Sequence, residues 1–380
     1  MIYFDNAATS LHRPPEVIDG MVRAMKTLGS PGRGSHDFAH EAARTLYEGR
    51  EVLSDFFHVG DPLKVVLTAN ATESLNMVIQ GALEPGDHCI TSEFGHNSVL
   101  RPLHQMEERG VHVEKIGARD QGILEWETLE QRIRPETKMV VACHGSNVTG
   151  NAVDLRPIGE LCRKHGLLFV VDAAQTAGLL AIDFQELKID ALCLSGHKGL
   201  LGPQGIGVLC LSSRARVKPL KWGGTGTQSF SSDMPEGLPE ALEAGTMNTH
   251  GLAGLMEGCR YLNRIGVSVV YEKSIRLANM FYHGLLGRRG ITFYGDFSGE
   301  ARLPIVSLNV GEMDAGQVSD LLAEEYGIAT RSGAHCAPGV HRYFGTERQG
   351  MVRFSFSHFN AADEVMKAVE AVQNLTKELL

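Results

Sequence analysis

The sequence lacks the segments that would carry a protein into a membrane or out of the cell. No apolar run approaches the roughly 18–20 residues that cross a bilayer. The first residues, Met1–Asn6, contain neither the basic nor the apolar stretch of a secretory signal. The net charge of −9 disfavours nucleic acid or an anionic membrane as the main partner. The expected location is therefore the cytoplasm.

Paired-cysteine motifs are also missing. The chain has 7 cysteines, an odd number, and none of them shows CxxC spacing. All but Cys336 lie in apolar strand-like or helical stretches, where cysteine behaves as a small buried hydrophobe. These are Cys89, Cys143, Cys162, Cys193, Cys210 and Cys259. Cys336 lies in a polar loop with glycine and proline, so we expect a reducing compartment and one thiol available for chemistry.

Nucleotide and metal motifs are absent as well. No GxGxxG follows the first strand-like run, and the GxxxxGK[ST] spacing of a phosphate-binding loop does not occur around Lys198. Both absences disfavour NAD and ATP as cofactors. His335, Cys336 and His341 form a loose trio without a fourth ligand, so a metal centre is disfavoured too.

Apolar runs alternate with helix-like stretches through the first two-thirds of the chain. Nearly continuous aliphatic runs of this kind are typical of strands covered on both faces of a parallel sheet. The runs are Leu63–Thr68, His88–Thr91, Met139–Cys143, Leu167–Val171, Ala191–Leu194 and Gly207–Leu211. Their alternation with helical segments predicts an α/β fold with a mainly parallel, doubly wound sheet.

Two domains are expected for a chain of 380 residues. A long helical stretch and then alternating strands, such as Val306–Val310, follow the last of the apolar runs. We therefore place a large domain at 16–255 and a smaller C-terminal α+β domain at 256–380. Residues 1–15 are expected to pack near the active site. Gly223–Pro239, rich in Gly, Ser, Thr and Pro, is the predicted mobile loop.

Chemically informative residues follow the predicted strands, where ligands bind in open α/β sheets. Lys198 follows one strand in the segment Ser195-Gly-His197-Lys-Gly, and Asp172 ends another. A pyridoxal phosphate (PLP) enzyme needs a lysine that forms a Schiff base, an acid that pairs with the pyridinium nitrogen, and hydrogen-bond donors that hold the phosphate. Lys198, Asp172, and the pair Ser195 and His197 could supply these groups. Taken singly, Lys198 could be a solvated surface charge and Asp172 a helix N-cap. A metal ligand is disfavoured for Asp172, because no His/Asp cluster of metal spacing surrounds it.

Three other strand ends carry polar residues that have two interpretations each. Asn70-Ala-Thr72-Glu opens a helix, so its free N–H groups and the Thr72 hydroxyl either hold a phosphate or form an ordinary N-cap. His96 either stacks on a planar cofactor or is a loop histidine. Asn147 either donates to a phenolate oxygen of the cofactor or stabilises its own turn.

The second domain contributes a thiol and a cation. Cys336 follows His335 in a loop, and a neighbouring cation would lower the pKa of the thiol and make it a nucleophile. In the strand Val352–Ser357 the alternation places Arg353 on the polar face. A guanidinium there can bind a carboxylate through two hydrogen bonds, or it can form a surface salt bridge.

Eight motifs in order along nearly the whole chain resemble the cysteine desulfurase/selenocysteine lyase family of class V aminotransferases, which are fold-type-I PLP enzymes. They are Tyr3–Thr9, Asn70–Glu73, His96–Asn97, Ser146–Asn147, Asp172–Gln175, Ser195–Lys198, Glu243–Thr246 and Arg331–Cys336. One such motif would be weak, but eight in register are specific. The resemblance implies a large sheet domain, a smaller C-terminal domain and PLP as the cofactor.

The resemblance also implies roles around the cofactor ring. Lys198 would form the covalent bond to PLP, and His96 would stack on the ring. Asp172 would pair with the ring nitrogen. Gln175 would contact the phenolate oxygen, with help from Asn147.

Further roles implied by the resemblance concern the phosphate, the substrate and a second subunit. The phosphate would be held by the Ala71 backbone, Thr72, Ser195 and His197. Thr246 would reach the phosphate of the other subunit, which implies a homodimer with shared active sites. Arg353, with Asn147, would bind the substrate carboxylate, and Cys336 would accept sulfur.

The reaction implied by the resemblance converts L-cysteine to L-alanine and leaves a persulfide on Cys336, from which a sulfur-acceptor protein would be loaded. The alternatives are a selenocysteine lyase, an epimerase or aminotransferase acting on another amino acid, and a non-catalytic scaffold or sulfur-carrier partner. Two positions depart from the family pattern: Gly95 replaces an acidic residue before the stacking histidine, and Ala334 replaces the first of two histidines before the cysteine.

Overall fold

The structure is a computed structural model that describes residues 1–31, 34–299 and 301–377. Strands and helices alternate in its first part and then give way to an α+β arrangement. The strands are β1 Ile2–Tyr3, β2 Val65–Thr68, β3 His88–Ser92, β4 His112–Ile116, β5 Ala118–Arg119, β6 Ile123–Leu124, β7 Thr137–Cys143, β8 Leu168–Asp172, β9 Ala191–Ser195, β10 Gly207–Leu211, β11 Ile291–Tyr294, β12 Ile305–Val310, β13 Ile328–Ala329, β14 Arg331–Gly333 and β15 Met351–Ser355.

Helices cover the sheets and connect their strands. The α-helices are α1 Pro15–Thr27, α2 Asp37–Phe56, α3 Ala71–Ala82, α4 Asn97–Glu107, α5 Leu129–Arg132, α6 Leu155–His165, α7 Thr249–Ile265, α8 Val267–Leu285, α9 Ala315–Tyr326, α10 Pro338–Phe344 and α11 Ala362–Lys377. Short 3-10 helices occur at Pro62–Lys64, Asp120–Gly122 and Trp126–Thr128. Within the described residues no helix is both long and apolar enough to cross a bilayer.

The central sheet has the order β2-β10-β9-β8-β7-β3-β4. Its strands run parallel except β10, which is antiparallel to both of its neighbours. Strands β2, β3, β8, β9 and β10 are buried along their whole length, because apolar clusters cover both faces of the sheet. Continuous aliphatic runs are the sequence signature of such strands, and the predicted α/β fold class is confirmed.

The C-terminal part forms an antiparallel sheet in the order β11-β12-β15-β14. Helices α8, α9 and α11 pack on it around Phe281, Leu322 and Val372. Strand β1 pairs in parallel with β13 in a separate two-stranded sheet, and an isolated bridge between Asp5 and Ser355 ties the N-terminal segment to β15 of the four-stranded sheet. The first residues are thereby placed between the two sheets.

Position 255, the proposed domain boundary, falls inside helix α7. This helix packs against α1 and α2, and its residues Leu252, Leu255 and Cys259 belong to the apolar core around the central sheet. The segment Gly223–Pro239, predicted as a mobile loop, contains neither a helix nor a strand in the structure, and the Phe230 side chain within it is fully exposed.

Candidate active site

A cavity of about 330 Å³ lies at the carboxyl ends of the central strands, where they face the C-terminal sheet. Every site residue predicted from the sequence lines it, with the exception of Thr246. These residues are Ala71, Thr72, His96, Asn147, Asp172, Gln175, Ser195, His197, Lys198, Cys336 and Arg353. Residues from distant parts of the chain therefore meet in one concave site.

Lys198 lies just beyond β9 and is half-buried. Its backbone is held by Ser10, whose hydroxyl donates to the Lys198 carbonyl at 2.8 Å. Burial lowers the pKa of the Lys198 ammonium from 10.5 to about 8, although the nearby carboxylate of Asp172 partly opposes the shift. A desolvated lysine of this kind releases its proton easily, as a nucleophilic amine must.

Asp172 ends strand β8 and is buried. One carboxylate oxygen accepts from the Ala174 N–H at 3.0 Å, and the other is 3.8 Å from the Cys143 sulfur. In the described part of the chain Asp172 has no ion-pair partner within 4.0 Å. A buried carboxylate without a close cation is costly, and a protonated ring nitrogen would be a fitting partner.

Ser98 forms hydrogen bonds with Thr72 and His96, two residues predicted to contact the cofactor, and no motif in the sequence indicated it. Its hydroxyl lies 2.9 Å from the Thr72 hydroxyl and 2.7 Å from Nδ1 of His96. The Ser98 N–H also donates to this Nδ1 at 3.1 Å. The Nδ1 atom is thus an acceptor, so the proton of the neutral ring belongs on Nε2. Burial lowers the pKa of His96 and favours this neutral form.

Of the residues predicted to bind phosphate, Ala71 and Thr72 begin helix α3, and Ser195 and His197 line the same cavity. Asn70 caps this helix by accepting from the Glu73 N–H, so the N-cap interpretation of the motif holds for Asn70. A Cβ at Gly207 would lie 2.5 Å from the Asn70 backbone, so the start of β10 can approach the cap only as glycine. His197 bonds the Thr9 hydroxyl through Nδ1 at 3.0 Å, and burial lowers its pKa to about 4. The ring is therefore neutral near pH 7.

Arg353 is buried in strand β15, so the exposed salt bridge considered from its sequence pattern is wrong. Its Nη2 donates to the Asp5 carboxylate at 2.8 Å, and its Nη1 donates to the Asn147 carbonyl at 3.0 Å. Its Nε is buried and has no hydrogen-bond partner among the described residues. Arg331 lies 4.0 Å from the other Asp5 oxygen. Arg353 lines the cavity, and a guanidinium in this place can receive a carboxylate.

The Cys336 loop connects β14 to α10 and is held by hydrogen bonds to its backbone. Asn147 Nδ2 donates to the His335 carbonyl at 2.7 Å, and the Asn97 N–H donates to the Cys336 carbonyl at 2.8 Å. Both loop residues have left-handed backbones, with φ of 49° at His335 and 57° at Cys336. Such conformations cost about 1–3 kcal/mol each and persist only where surrounding contacts impose them. Cys336 itself is exposed.

The sequence pattern predicted that His335 could serve as a cation beside the thiol, and the structure contradicts this. The His335 ring is buried, and its Nε2 is 3.0 Å from the Met351 carbonyl. Burial, and next the charge of Arg353, lower the pKa of His335 to about 3. The ring is therefore neutral. The polar composition of the loop does not reveal that tertiary packing buries this imidazole.

Thr246 lies outside this cavity and is exposed. The segment that carries it is held by Glu243, which is buried in an ion pair with Arg50 at 2.7 Å. The second Glu243 oxygen accepts from the Leu67 N–H at 2.7 Å. An exposed threonine on a firmly held segment is compatible with the expected contact to a second subunit, which remains a prediction.

Comparisons with known proteins agree over almost the whole chain. The sequence profile of the family described as aminotransferase class-V matches residues 2–367. The chain belongs to this family. A probable cysteine desulfurase of Pyrococcus abyssi is 33% identical over 100% of this chain and 95% of its own length. For the cysteine desulfurase IscS of Vibrio vulnificus strain CMCP6 the identity is 32%, over 100% of this chain and 93% of its own length.

Solved structures of cysteine desulfurases share the fold. A cysteine desulfurase from Thermococcus onnurineus NA1 superposes with a TM-score of 0.91 at 32% identity, covering 99% of this chain and 95% of its own. The cysteine desulfurase CsdA of Escherichia coli gives a TM-score of 0.88 at 30% identity, covering 100% of this chain and 95% of its own. The family resemblance proposed from the eight motifs is thereby confirmed.

Proposed function

We propose that the protein is a PLP-dependent cysteine desulfurase that converts L-cysteine to L-alanine and holds the released sulfur as a persulfide on Cys336. The observation that carries the proposal is the convergence of Lys198, Arg353 and Cys336 on one cavity. An amine, a carboxylate receptor and an exposed thiol are the groups that this reaction requires. The relatives named above, which are cysteine desulfurases, support the same assignment.

The residues of the cavity fit PLP. Asp172 is a buried carboxylate without a close cation among the described residues, which suits the protonated ring nitrogen. The His96 ring lines the same cavity, and the start of helix α3 offers free N–H groups for a phosphate. Lys198 would bind the cofactor covalently. When bound, PLP supplies an electron sink for negative charge that develops at the substrate Cα.

The other steps belong to side chains of this chain. Arg353, which lines the cavity, would bind the substrate carboxylate through its guanidinium. Lys198, whose ammonium has a pKa of about 8, would take the proton from Cα and return it. The Cys336 thiolate would attack the sulfur of L-cysteine. A sulfur–sulfur bond forms, the carbon–sulfur bond breaks, and its electron pair stays with the carbon skeleton, which gains a proton and leaves as L-alanine.

Two exposed residues bear on the partners of the protein. Thr246 would reach the phosphate bound by a second copy of the chain, and this gives a homodimer with shared sites. The exposed Cys336 would pass its sulfur to an acceptor protein. All 7 cysteines are free thiols, which supports a reducing, cytoplasmic location.

The test is spectroscopic first and chemical second. Purified protein with PLP should absorb near ~420 nm, and Lys198→Ala should lose this band. With L-cysteine and a reductant, the protein should release alanine and sulfide in equal amounts. Cys336→Ala should keep the band and lose both products. A protein that binds PLP through Lys198 but leaves L-cysteine unchanged would refute the proposed substrate, and selenocysteine would be tried next.

A further inference from the structure

The backbone of the Cys336 loop is not one that the sequence adopts by itself. His335 and Cys336 are consecutive residues with positive φ, and neither is glycine. Such a pair is rare without outside contacts. The helix that follows is fixed in place, because a Cβ at Gly339 would lie 1.9 Å from the Glu93 carbonyl oxygen. Hydrogen bonds from Asn147 and Asn97 hold the backbone of the two strained residues from outside, and a contact made by the loop's own side chains would hold it further.

The side chain of His335 supplies such a contact. Its ring is buried, and Nε2 lies 3.0 Å from the carbonyl oxygen of Met351. Because a carbonyl only accepts, the ring proton is on Nε2. Nδ1 is buried and has no hydrogen-bond partner in the described part of the chain. The ring therefore holds the loop through one donated hydrogen bond and through its packing.

The neutral ring is consistent with its surroundings. Burial is the first cause that lowers the pKa of His335, to about 3, and the charged or titratable groups that add to it are Arg353, His341 and Arg331. The His341 ring is stacked at 6.0 Å and bonds the Thr346 hydroxyl rather than His335. No carboxylate is among the causes of the shift, and the hydrogen bond to the Met351 carbonyl, which raises the pKa, is outweighed by burial.

The contact to Met351 links the thiol to the substrate-binding arginine. Met351 begins strand β15, and Arg353 lies two residues further along the same strand. Asn147 forms a second link, because its carbonyl accepts from Arg353 and its side chain donates to the His335 carbonyl. The position of Cys336 is thus set relative to the group that would hold the substrate carboxylate.

We propose that His335 is a positioning residue that, as a neutral donor to the Met351 carbonyl, fixes the Cys336 thiol at the distance from Arg353 that sulfur transfer requires. The inference rests on the proposed function for its catalytic consequence. The structural part of the inference, that the His335 side chain holds the Cys336 loop in its conformation, does not depend on the proposed function. On this proposal, His335 does not promote deprotonation of the Cys336 thiol.

The experiment compares PLP-loaded wild type with His335→Leu, which removes the donor, and His335→Gln, whose amide can still donate to Met351. His88→Leu is the matched control, because His88 is a similarly buried histidine that bonds Thr137 away from the cavity. Four quantities are measured: amide hydrogen exchange of residues 334–337, the pH dependence of Cys336 alkylation by iodoacetamide, the affinity for L-cysteine, and the rate of persulfide formation from L-cysteine.

His335→Leu should accelerate exchange in the loop at least about tenfold, since it loses a contact that holds a strained backbone. It should slow persulfide formation by up to about 100-fold, the scale of a displacement of about 1 Å between reacting groups. L-cysteine binding, followed by the change in PLP absorbance, should stay within about twofold of wild type. His335→Gln should recover most of the rate, and the control should change none of these quantities.

The pH dependence of alkylation distinguishes a neutral His335 that holds the loop from a cationic His335 that lowers the pKa of the Cys336 thiol. We expect the pH at which alkylation of Cys336 is half-maximal to be the same in wild type and His335→Gln. A rise of this midpoint by about one pH unit or more in that variant would mean that His335 acts as a cation, and this would overturn the inference. Unchanged loop exchange in His335→Leu would overturn it as well. If wild type forms no persulfide, the proposed function fails, while exchange and alkylation still decide whether His335 clamps the loop.

Discussion

Replacing Lys198 by methionine should stabilise the cofactor-free protein, because the native lysine is held where its charge is poorly solvated. Burial lowers the pKa of its ammonium from 10.5 to about 8, and the attraction of Asp172 opposes this shift only in part. At about 1.4 kcal/mol for each pKa unit, the difference between the two pKa values corresponds to ~3 kcal/mol. Because Lys198 is partly exposed in the cavity, ~2–3 kcal/mol is the expected gain at pH 7.

The gain should depend on pH in a defined direction. Between pH 8 and pH 10.5 the unfolded lysine is still protonated while the folded lysine is not. The unfolded state then binds more protons, so wild-type stability rises with pH across this window relative to the variant. The advantage of Lys198→Met should therefore be full below pH 8 and should vanish near pH 10.5.

The assay is urea unfolding of the PLP-free proteins at several pH values between 7 and 10.5, followed by circular dichroism. Lys218→Met is the matched control, because Lys218 is 73% exposed and pairs with Glu84 at the surface. Its stability should differ from wild type by no more than ~1 kcal/mol at any pH. A Lys198→Met protein that is less stable than wild type at pH 7, or whose gain persists at pH 10.5, would refute the reasoning.

Three further substitutions test contacts around the cavity. Asp5→Asn leaves the buried Arg353 without a charged partner and should lower the free energy of unfolding by ~2–4 kcal/mol in urea titrations; no loss would mean that the pair does not stabilise the fold. Glu243→Gln should cost ~3–5 kcal/mol by the same measurement, because Arg50 is equally buried, and replacing both residues by methionine should recover most of the loss. Ser98→Ala removes two hydroxyl contacts and should weaken PLP binding about fivefold to tenfold in titrations of PLP-free protein, whereas unchanged affinity would show that Ser98 does not organise the cradle.

The central sheet could be predicted because its strands are buried on both faces. Runs such as Val65–Thr68 and Leu168–Asp172 are almost continuous in apolar residues and have no polar face to confuse the pattern. The direction of β10 could not be predicted, since a buried strand has the same composition whether it runs parallel or antiparallel. Strand order likewise depends on long-range pairing that a local pattern does not contain.

The candidate site divides in a similar way. Residues at strand ends, such as Lys198 and Asp172, could be found because parallel strands end at one edge of the sheet. Asp5 was missed because its partner Arg353 is 348 positions away and only tertiary folding brings them together. The charge state of His335 was mistaken for a related reason: its loop is polar in sequence, while the packing that buries its ring comes from other segments.

The most direct test of the proposed function is the mass of the Cys336 peptide after PLP-loaded protein is incubated with L-cysteine and then alkylated without reductant. We expect a gain of about 32 Da, one sulfur atom, on Cys336, together with one equivalent of L-alanine. The gain should be absent in Lys198→Ala. Alanine formed without sulfur on Cys336, or sulfur found on another cysteine, would contradict the proposed function.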